Sequence, residues 1–87
     1  MNIEYNITKY FEDNNLFDNS TSDGLIINQD SNTITIKGSS KDLVELADLI
    51  VHVAKNKTHI HVDDLTIINK DSNIKEIIIE NENSNNL

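Results

Sequence analysis

Hydrophobic and polar residues alternate strictly in two stretches of the chain, a pattern typical of β-strands that bury one face. The first stretch is Thr33–Lys37, in which Ile34 and Ile36 share one face. It follows the β-branched run Leu25–Asn28 and the turn-forming residues 29–32. The segment therefore predicts a β-hairpin, and we expect its isoleucine face to be buried.

The second alternating stretch is Thr58–Asp63. As a strand it would bury Ile60 and Val62 and point the intervening side chains outward, namely His59, His61 and Asp63. A third strand is therefore predicted here.

Two further segments follow this third strand. Leu65–Ile68 is expected to be extended, and Asn69–Asn73 carries turn-forming residues. Ile74–Glu80 is predicted to be the last strand, with Ile77 and Ile79 facing inward.

Helical periodicity dominates residues 39–57. A serine cap at Ser39 or Ser40 and an early acidic residue indicate the helix start. The predicted helix, Ser40–Asn56, should cover the sheet with one apolar stripe: Leu43, Leu46, Ala47, Ile50, Val53 and Ala54. At 3.6 residues per turn, His52 falls on the solvent side.

The two ends of the chain carry weaker patterns. Residues 1–22 contain all four aromatic residues. Ile3, Tyr5 and Ile7 alternate as in a strand, whereas Ile7, Tyr10 and Phe11 have helical spacing, so we expect a short strand followed by a helical turn or short helix. Residues 81–87 are an acidic, asparagine-rich segment that is expected to be disordered.

These elements predict an α+β fold within a single domain spanning residues 1–80. Its architecture is two-layer, with one main helix on a mostly antiparallel sheet of four to five strands. The core order is hairpin, helix, strand, strand.

The length and composition of the chain exclude several classes of functional site. Eighty-seven residues suffice for one core. The absence of cysteine excludes disulfides, thiolate nucleophiles and cysteine-based metal sites. The first residues have neither the basic n-region nor the apolar h-region of a secretory leader, and no stretch approaches roughly 20 apolar residues, so we expect neither export by a standard signal nor a membrane anchor. We therefore expect a cytoplasmic protein.

The chain is strongly acidic, with fifteen Asp and Glu, seven Lys and a formal net charge of −8. Such a charge repels nucleic-acid backbones and anionic membranes, so neither is an expected partner. It favours encounter with a basic protein, such as a nuclease with a Lys- and Arg-lined groove. The alternative interpretation is that the charge only maintains solubility.

One motif contains side chains that could bind a metal ion or take part in catalysis. His59, His61 and Asp63 share a strand face, and two imidazoles with a carboxylate are suitable metal ligands. The only other histidine, His52, lies on the outer side of the helix and cannot join them. We therefore expect no metal and no cofactor. Because no nucleophile elbow or phosphate-binding loop is present either, we expect that the chain is not an enzyme.

The sheet face opposite the helix is the predicted partner-binding surface. Its apolar centre and charged rim are typical of protein interfaces. The predicted binding residues are His59, His61, Asp63, Glu76, Ile78 and Glu80, with Thr33, Thr35 and Lys37 beside them on the same sheet. In the alternative interpretation, the N-terminal aromatic residues fold over this face.

The segment from Ile36 to Glu80 resembles a class of small bacterial immunity proteins from polymorphic toxin systems. The resemblance rests on a Gly-Ser helix start, a Leu-x-x-Leu-Ala helix, a His-x-His-x-Asp strand and a closing apolar strand. The matching positions are Gly38, Ser39, Leu43, Leu46, Ala47, His59, His61, Asp63 and Ile77–Ile79.

This resemblance covers about half of the chain and implies a protein that binds and neutralises a toxin. The acidic charge favours a basic toxin, for instance a nuclease. Two alternatives stay open: a phage-encoded inhibitor of a basic bacterial defence protein, and a small metal-dependent enzyme that uses His59, His61 and Asp63. A homodimer is compatible with each of these functions.

Overall fold

A computed structural model describes residues 7–17, 23–63 and 67–84. Its elements confirm the α+β class and the predicted order of hairpin, main helix and two later strands. In chain order they are α1 (Ile7–Asp13), β1 (Ile26–Asp30), β2 (Thr33–Lys37), α2 (Ser40–Asn56), β3 (His59–Asp63) and β4 (Glu76–Glu80). The short N-terminal helix is confirmed as α1, whereas the strand predicted before it falls mostly on residues 1–6, outside the described ranges.

The strands form two separate antiparallel pairs, so the predicted sheet of four to five strands is wrong for the described residues. β1 pairs with β2, and β3 pairs with β4. One isolated parallel bridge, between Leu25 and Ile68, connects the start of the hairpin to the segment before β4. The other edge of β1 is occupied by a loop and not by a third strand.

This loop comprises residues 67–74, and its backbone bonds directly to β1 and the residue before it. The N–H of Leu25 donates to the carbonyl of Ile67 at 2.6 Å. The N–H of Ile74 donates to the carbonyl of Ile27 at 3.2 Å. Alternate residues of β1 therefore point their backbone groups away from β2 and into the loop.

Two side chains of the loop bind further backbone groups along this edge. The Ser72 hydroxyl accepts from the N–H of Ile27 at 2.9 Å and donates to the carbonyl of Leu25 at 3.2 Å. The Asn73 amide accepts from the N–H of Gln29 at 2.8 Å and donates to its carbonyl at 3.1 Å. Side chains thus take the place of a neighbouring strand, which satisfies backbone groups that would otherwise be unpaired.

The hydrophobic core lies where α2, the start of the hairpin and β3 meet. Its buried residues are Leu25, Ile27, Leu46, Val62 and Ile68. Partly buried side chains pack around them, namely Leu49, Ile60, Ile67, Ile74, Ile77 and Ile79. The inward orientation predicted for the apolar residues of β3 and β4 is therefore confirmed.

The orientation of α2 differs from the prediction. Leu46 and Val53 are buried as expected, but Leu43 and Ile50 are 41% and 47% exposed. The core face instead combines Leu46 and Val53 with Leu49, at spacings of three and four residues. Val44, which lies outside the predicted stripe, is also buried. His52 is exposed, as predicted.

The N-terminus of α2 is fixed by a buried cap. The Ser39 hydroxyl accepts from the N–H of Asp42 at 3.2 Å, and the Asp42 carboxylate, 2% exposed, accepts from the N–H of Gly24 at 3.2 Å. A negative charge at this position also complements the helix dipole. Gly38 allows the close approach of this turn, because a β-carbon there would lie 2.7 Å from Leu25 Cδ2.

Ser39→Ala is expected to lower the free energy of unfolding by about 1 kcal/mol, since the N-cap acceptor is lost. Ser40→Ala is the matched control and should change it by less than about 0.5 kcal/mol, since Ser40 is already the first helical residue. Urea denaturation followed by circular dichroism measures both. Equal losses would contradict the assignment of the cap to Ser39.

The C-terminus of α2 ends in a left-handed residue and an asparagine clamp. Lys57 has φ 52° and donates its N–H to the carbonyl of Val53 at 3.1 Å. Asn81 donates its side-chain amide to the carbonyls of Val53 and Ala54 at 3.3 and 3.1 Å. The first residue of the segment predicted to be disordered therefore contacts the main helix, and residues 85–87 lie outside the described ranges.

α1 packs on the side of α2 that is turned away from the core. The Asp48 carboxylate accepts from the N–H groups of Ile7 and Thr8 at 2.8 and 3.0 Å, and also from the Thr8 hydroxyl. Partial burial raises the pKa of Asp48, but these hydrogen bonds outweigh that effect and leave the pKa below its ordinary value. Asp48 thus caps the N-terminus of a neighbouring helix.

Candidate protein-binding face

The register of β3 and β4 brings the predicted binding residues together in three cross-strand pairs. These pairs are His59 with Glu80, His61 with Ile78, and Asp63 with Glu76. Directly opposed residues of an antiparallel pair project from the same side of the sheet. All six side chains therefore share one surface, which we name the β3–β4 face.

The three pairs are non-hydrogen-bonded pairs of the antiparallel ladder, in which the Cα atoms are closer together than in hydrogen-bonded pairs. The N–H of Asn81 donates to the carbonyl of Thr58 at 3.0 Å, so the pair next to His59 and Glu80 is hydrogen-bonded. Hydrogen-bonded and non-hydrogen-bonded pairs alternate along the strands. The pairs of the β3–β4 face are thus non-hydrogen-bonded, with Cα atoms only about 4.5 Å apart.

The face has an exposed apolar centre. Ile78 is 55% exposed, although the neighbouring Ile77 and Ile79 turn inward and pack on the core. The side chains of His61 and Glu76 beside it are about half exposed, at 52% and 49%. An isoleucine in this setting offers apolar area that a partner could bury.

The histidines of the face interact with each other and with a carboxylate. His61 Nδ1 lies 3.3 Å from Glu76 Oε2, and the rings of His59 and His61 meet edge to face with centroids 5.3 Å apart. His59 Nδ1 is buried and has no hydrogen-bond partner among the described residues. Within those residues, no three histidine or acidic side chains form a group suited to hold a metal ion.

The charge of the face is negative when its histidines are neutral. Asp63, Glu76 and Glu80 supply three carboxylates, and neither β3 nor β4 contains a lysine. The chain as a whole is also acidic, at −8. The local and the overall charge therefore have the same sign.

Part of the surface predicted from the sequence does not belong to the β3–β4 face. Thr33, Thr35 and Lys37 lie on β2, in the other sheet, and do not extend the β3–β4 face. The cover expected from N-terminal aromatic residues also differs, because α1 packs on α2. The ring of Phe11, in α1, packs against that of Phe17, with the ring centroids 5.3 Å apart. Tyr5 lies outside the described residues.

The outer edge of β4 is a feature that the sequence did not predict. Because the pairs of the β3–β4 face are non-hydrogen-bonded, Glu76, Ile78 and Glu80 point their backbone N–H and carbonyl groups away from β3. Those groups make no backbone hydrogen bond to the loops that the structure describes. Side-chain alternation is the same in either register class, so the sequence carries no signal for this edge.

None of the described helices is long and apolar enough to cross a membrane. The chain matches no protein-family model, no curated protein and no solved structure.

Proposed function

We propose that this chain is an immunity-type protein that binds and neutralises a basic toxin in the cytoplasm, with the β3–β4 face as the binding surface. The observation that carries the proposal is the exposed Ile78 set among the carboxylates of Glu76, Glu80 and Asp63. An apolar centre within a polar rim is the arrangement of binding hot spots. The immunity role rests on the family resemblance, and the basic partner rests on charge.

The face is the centre of the proposed interface and not all of it. Two strands of five residues span about 17 Å by 10 Å. A stable interface buries about 800 Å² on each partner, so surrounding surface must also contact the toxin. Hot spots cluster at the centre of an interface, and this is the role proposed for Ile78.

The experiment begins with capture of the partner on the immobilised chain from lysate of the source organism. The retained protein should be basic, should inhibit growth when expressed alone, and should lose that effect when this chain is co-expressed. A retained protein that is acidic, or whose toxicity is unaffected by co-expression, would contradict the proposal.

With that partner purified, replacing both Glu76 and Glu80 by glutamine should slow association and flatten its salt dependence, because long-range attraction steers encounter. Stopped-flow association at several salt concentrations measures this. The control replaces Glu12 and Glu45, two exposed acids outside the face, by glutamine and so makes the same change in net charge. Equal slowing by both double variants would show that the overall charge acts and not this face.

Ile78→Ala should instead speed dissociation and weaken binding by about 1–3 kcal/mol, as expected of a central hot spot. Ile50→Ala is the control, since Ile50 is a similarly exposed isoleucine on α2. Surface plasmon resonance gives both dissociation rates. A complex in which the partner contacts the outer side of α2, around Val51 and His52, would retain the binding function and overturn the assignment of the face.

A further inference from the structure

The outer edge of β2 has no partner among the described residues. Since Leu25, Ile27 and Gln29 direct their backbone groups into the loop, the alternate residues of β1 bond to β2. On β2 the opposite set, Ile34 and Ile36, therefore points its N–H and carbonyl groups to the open edge. No backbone bond from either residue reaches the described loops or helices.

This edge is also apolar. Ile36 lies opposite the fully buried Ile27 and so shares its face, yet Ile36 is 42% exposed and Ile34 is 59% exposed. The burial predicted for these two isoleucines is therefore wrong. The core-facing side of the hairpin continues to the open edge without a cover, although exposed apolar edges invite pairing with another chain.

We infer that the partner of this edge is β2 of a second copy of the chain. In the antiparallel arrangement about a two-fold axis through Thr35, Ile34 of each copy lies opposite Ile36 of the other. Both residues have outward backbone groups, so they form the hydrogen-bonded pairs. The two Thr35 residues then form the closely spaced pair on the axis, and such threonine pairs stabilise sheets.

This register makes the two hairpins one sheet of four strands, β1–β2–β2–β1. Its apolar face is continuous, because the isoleucines of both copies project from the same side as the buried Ile27. The four central isoleucines, Ile34 and Ile36 of each copy, contact one another across the two-fold axis. Side chains left exposed in one copy are thus covered by the other.

Charges in the same register are complementary. β2 carries no acidic residue, and Lys37 is its one charged residue. Lys37 of one copy lies opposite Thr33 of the other, whose own neighbour on β1 is Asp30. The lysine can therefore approach the carboxylate of the second copy across a threonine. This local attraction opposes the repulsion between two acidic chains.

The outer edge of β4 is less suited than that of β2 to pairing with a second copy. Its outward positions are Glu76, Ile78 and Glu80, so two copies paired there would bring carboxylates together. The β2 edge brings isoleucines together instead. Each copy has one such edge, and two-fold pairing uses both, so the assembly closes as a dimer and leaves the β3–β4 faces free.

The first test measures the molar mass of the full chain by sedimentation equilibrium over a range of micromolar concentrations. The expected result is a dimer of twice the monomer mass. Ile34→Lys should raise its dissociation constant at least about 100-fold, because each dimer loses two apolar contacts and gains two like charges. Ile78→Lys, at a similarly exposed edge isoleucine of β4, makes the same chemical change and should leave the dimer intact.

The second test fixes the register and does not depend on Ile34. The chain has no cysteine, so Thr35→Cys introduces a single thiol. The paired Cα atoms would lie about 4.5 Å apart, within reach of a disulfide, and mild oxidation should give a covalent dimer. Thr33→Cys is the control, since its two copies would be separated by about 14 Å.

Circular dichroism of every variant distinguishes lost pairing from lost folding. A wild-type chain that is monomeric throughout the concentration range would overturn the proposal. A dimer that survives Ile34→Lys, or that crosslinks through Thr33→Cys and not through Thr35→Cys, would also overturn it. None of these outcomes depends on the toxin, so this proposal and the proposed function can fail separately.

Discussion

Ser72→Ala is expected to lower the free energy of unfolding by about 2–3 kcal/mol, because it leaves the buried N–H of Ile27 without an acceptor. The Ser72 hydroxyl is that acceptor, at 2.9 Å, and Ser72 is only 2% exposed. The carbonyl of Leu25 also loses a donor but keeps the N–H of Asn69 at 2.7 Å. Its contribution to the loss should therefore be small.

Asn73→Ala is the control for burial. Asn73 makes two side-chain hydrogen bonds to the backbone of Gln29. Ser72 makes the same number, to the backbone of Leu25 and Ile27. Asn73 is exposed, so water can replace its bonds, and we expect a loss below about 1 kcal/mol. Urea denaturation measures both variants. Equal losses would show that burial does not set the cost of an unpaired group at this edge.

Ser72 also shows which part of the fold the sequence could not predict. Residues 69–73 are predicted to be a turn, and the structure contains turn residues there. Turn composition indicates where the chain reverses but not which edge its side chains contact. Ser72 and Asn73 occupy the edge of β1, so no third strand pairs there. This arrangement depends on hydrogen bonds between residues that lie more than forty positions apart in the sequence.

The elements themselves were predictable because each has a local signal. Alternation identified β2 and β3, and the serine cap with helical periodicity identified α2. The rotation of α2 was not predictable in the same way. Its sequence carries apolar residues on more than one side, and periodicity alone does not show that Leu46 and Val53 are buried while Leu43 stays exposed.

The β3–β4 face was predictable to a larger extent. Alternation alone places His59, His61 and Asp63 on one side of β3, and likewise the alternate residues of β4. The register that pairs His61 with Ile78 depends on tertiary contacts, such as the bond from Asn81 to Thr58. β2 is separate from this face because the strands form two sheets, and the sequence carries no signal for that division.

Asp48→Ala is expected to undock α1 from α2, with a loss of about 2–3 kcal/mol of docking free energy. α1 has only seven residues and no acidic residue in its first turn, and isolated helices shorter than about 12 residues are marginal in water. Its first two N–H groups depend on the Asp48 carboxylate. Heteronuclear NMR relaxation of residues 7–13 should show increased backbone motion in the variant.

Glu45→Ala is the control, because Glu45 is an exposed acid of the same helix and its loss changes the net charge equally. It should leave α1 docked. Retained order of residues 7–13 in Asp48→Ala would contradict the proposed cap and assign the docking of α1 to apolar contacts alone.

The same cap predicts a pH dependence. Because hydrogen bonds from Thr8 and Ile7 outweigh partial burial and hold the pKa of Asp48 below its ordinary value of 3.8, the carboxylate stabilises the docked state fully above that value. The stabilisation should be lost as the pH falls through the lowered pKa, since a protonated carboxyl accepts these bonds poorly. The amide protons of Ile7 and Thr8 should therefore shift together in this acidic range. Asp48→Asn, which cannot ionise, should lack that step, and a titration that persists in this variant would assign the transition to other carboxylates.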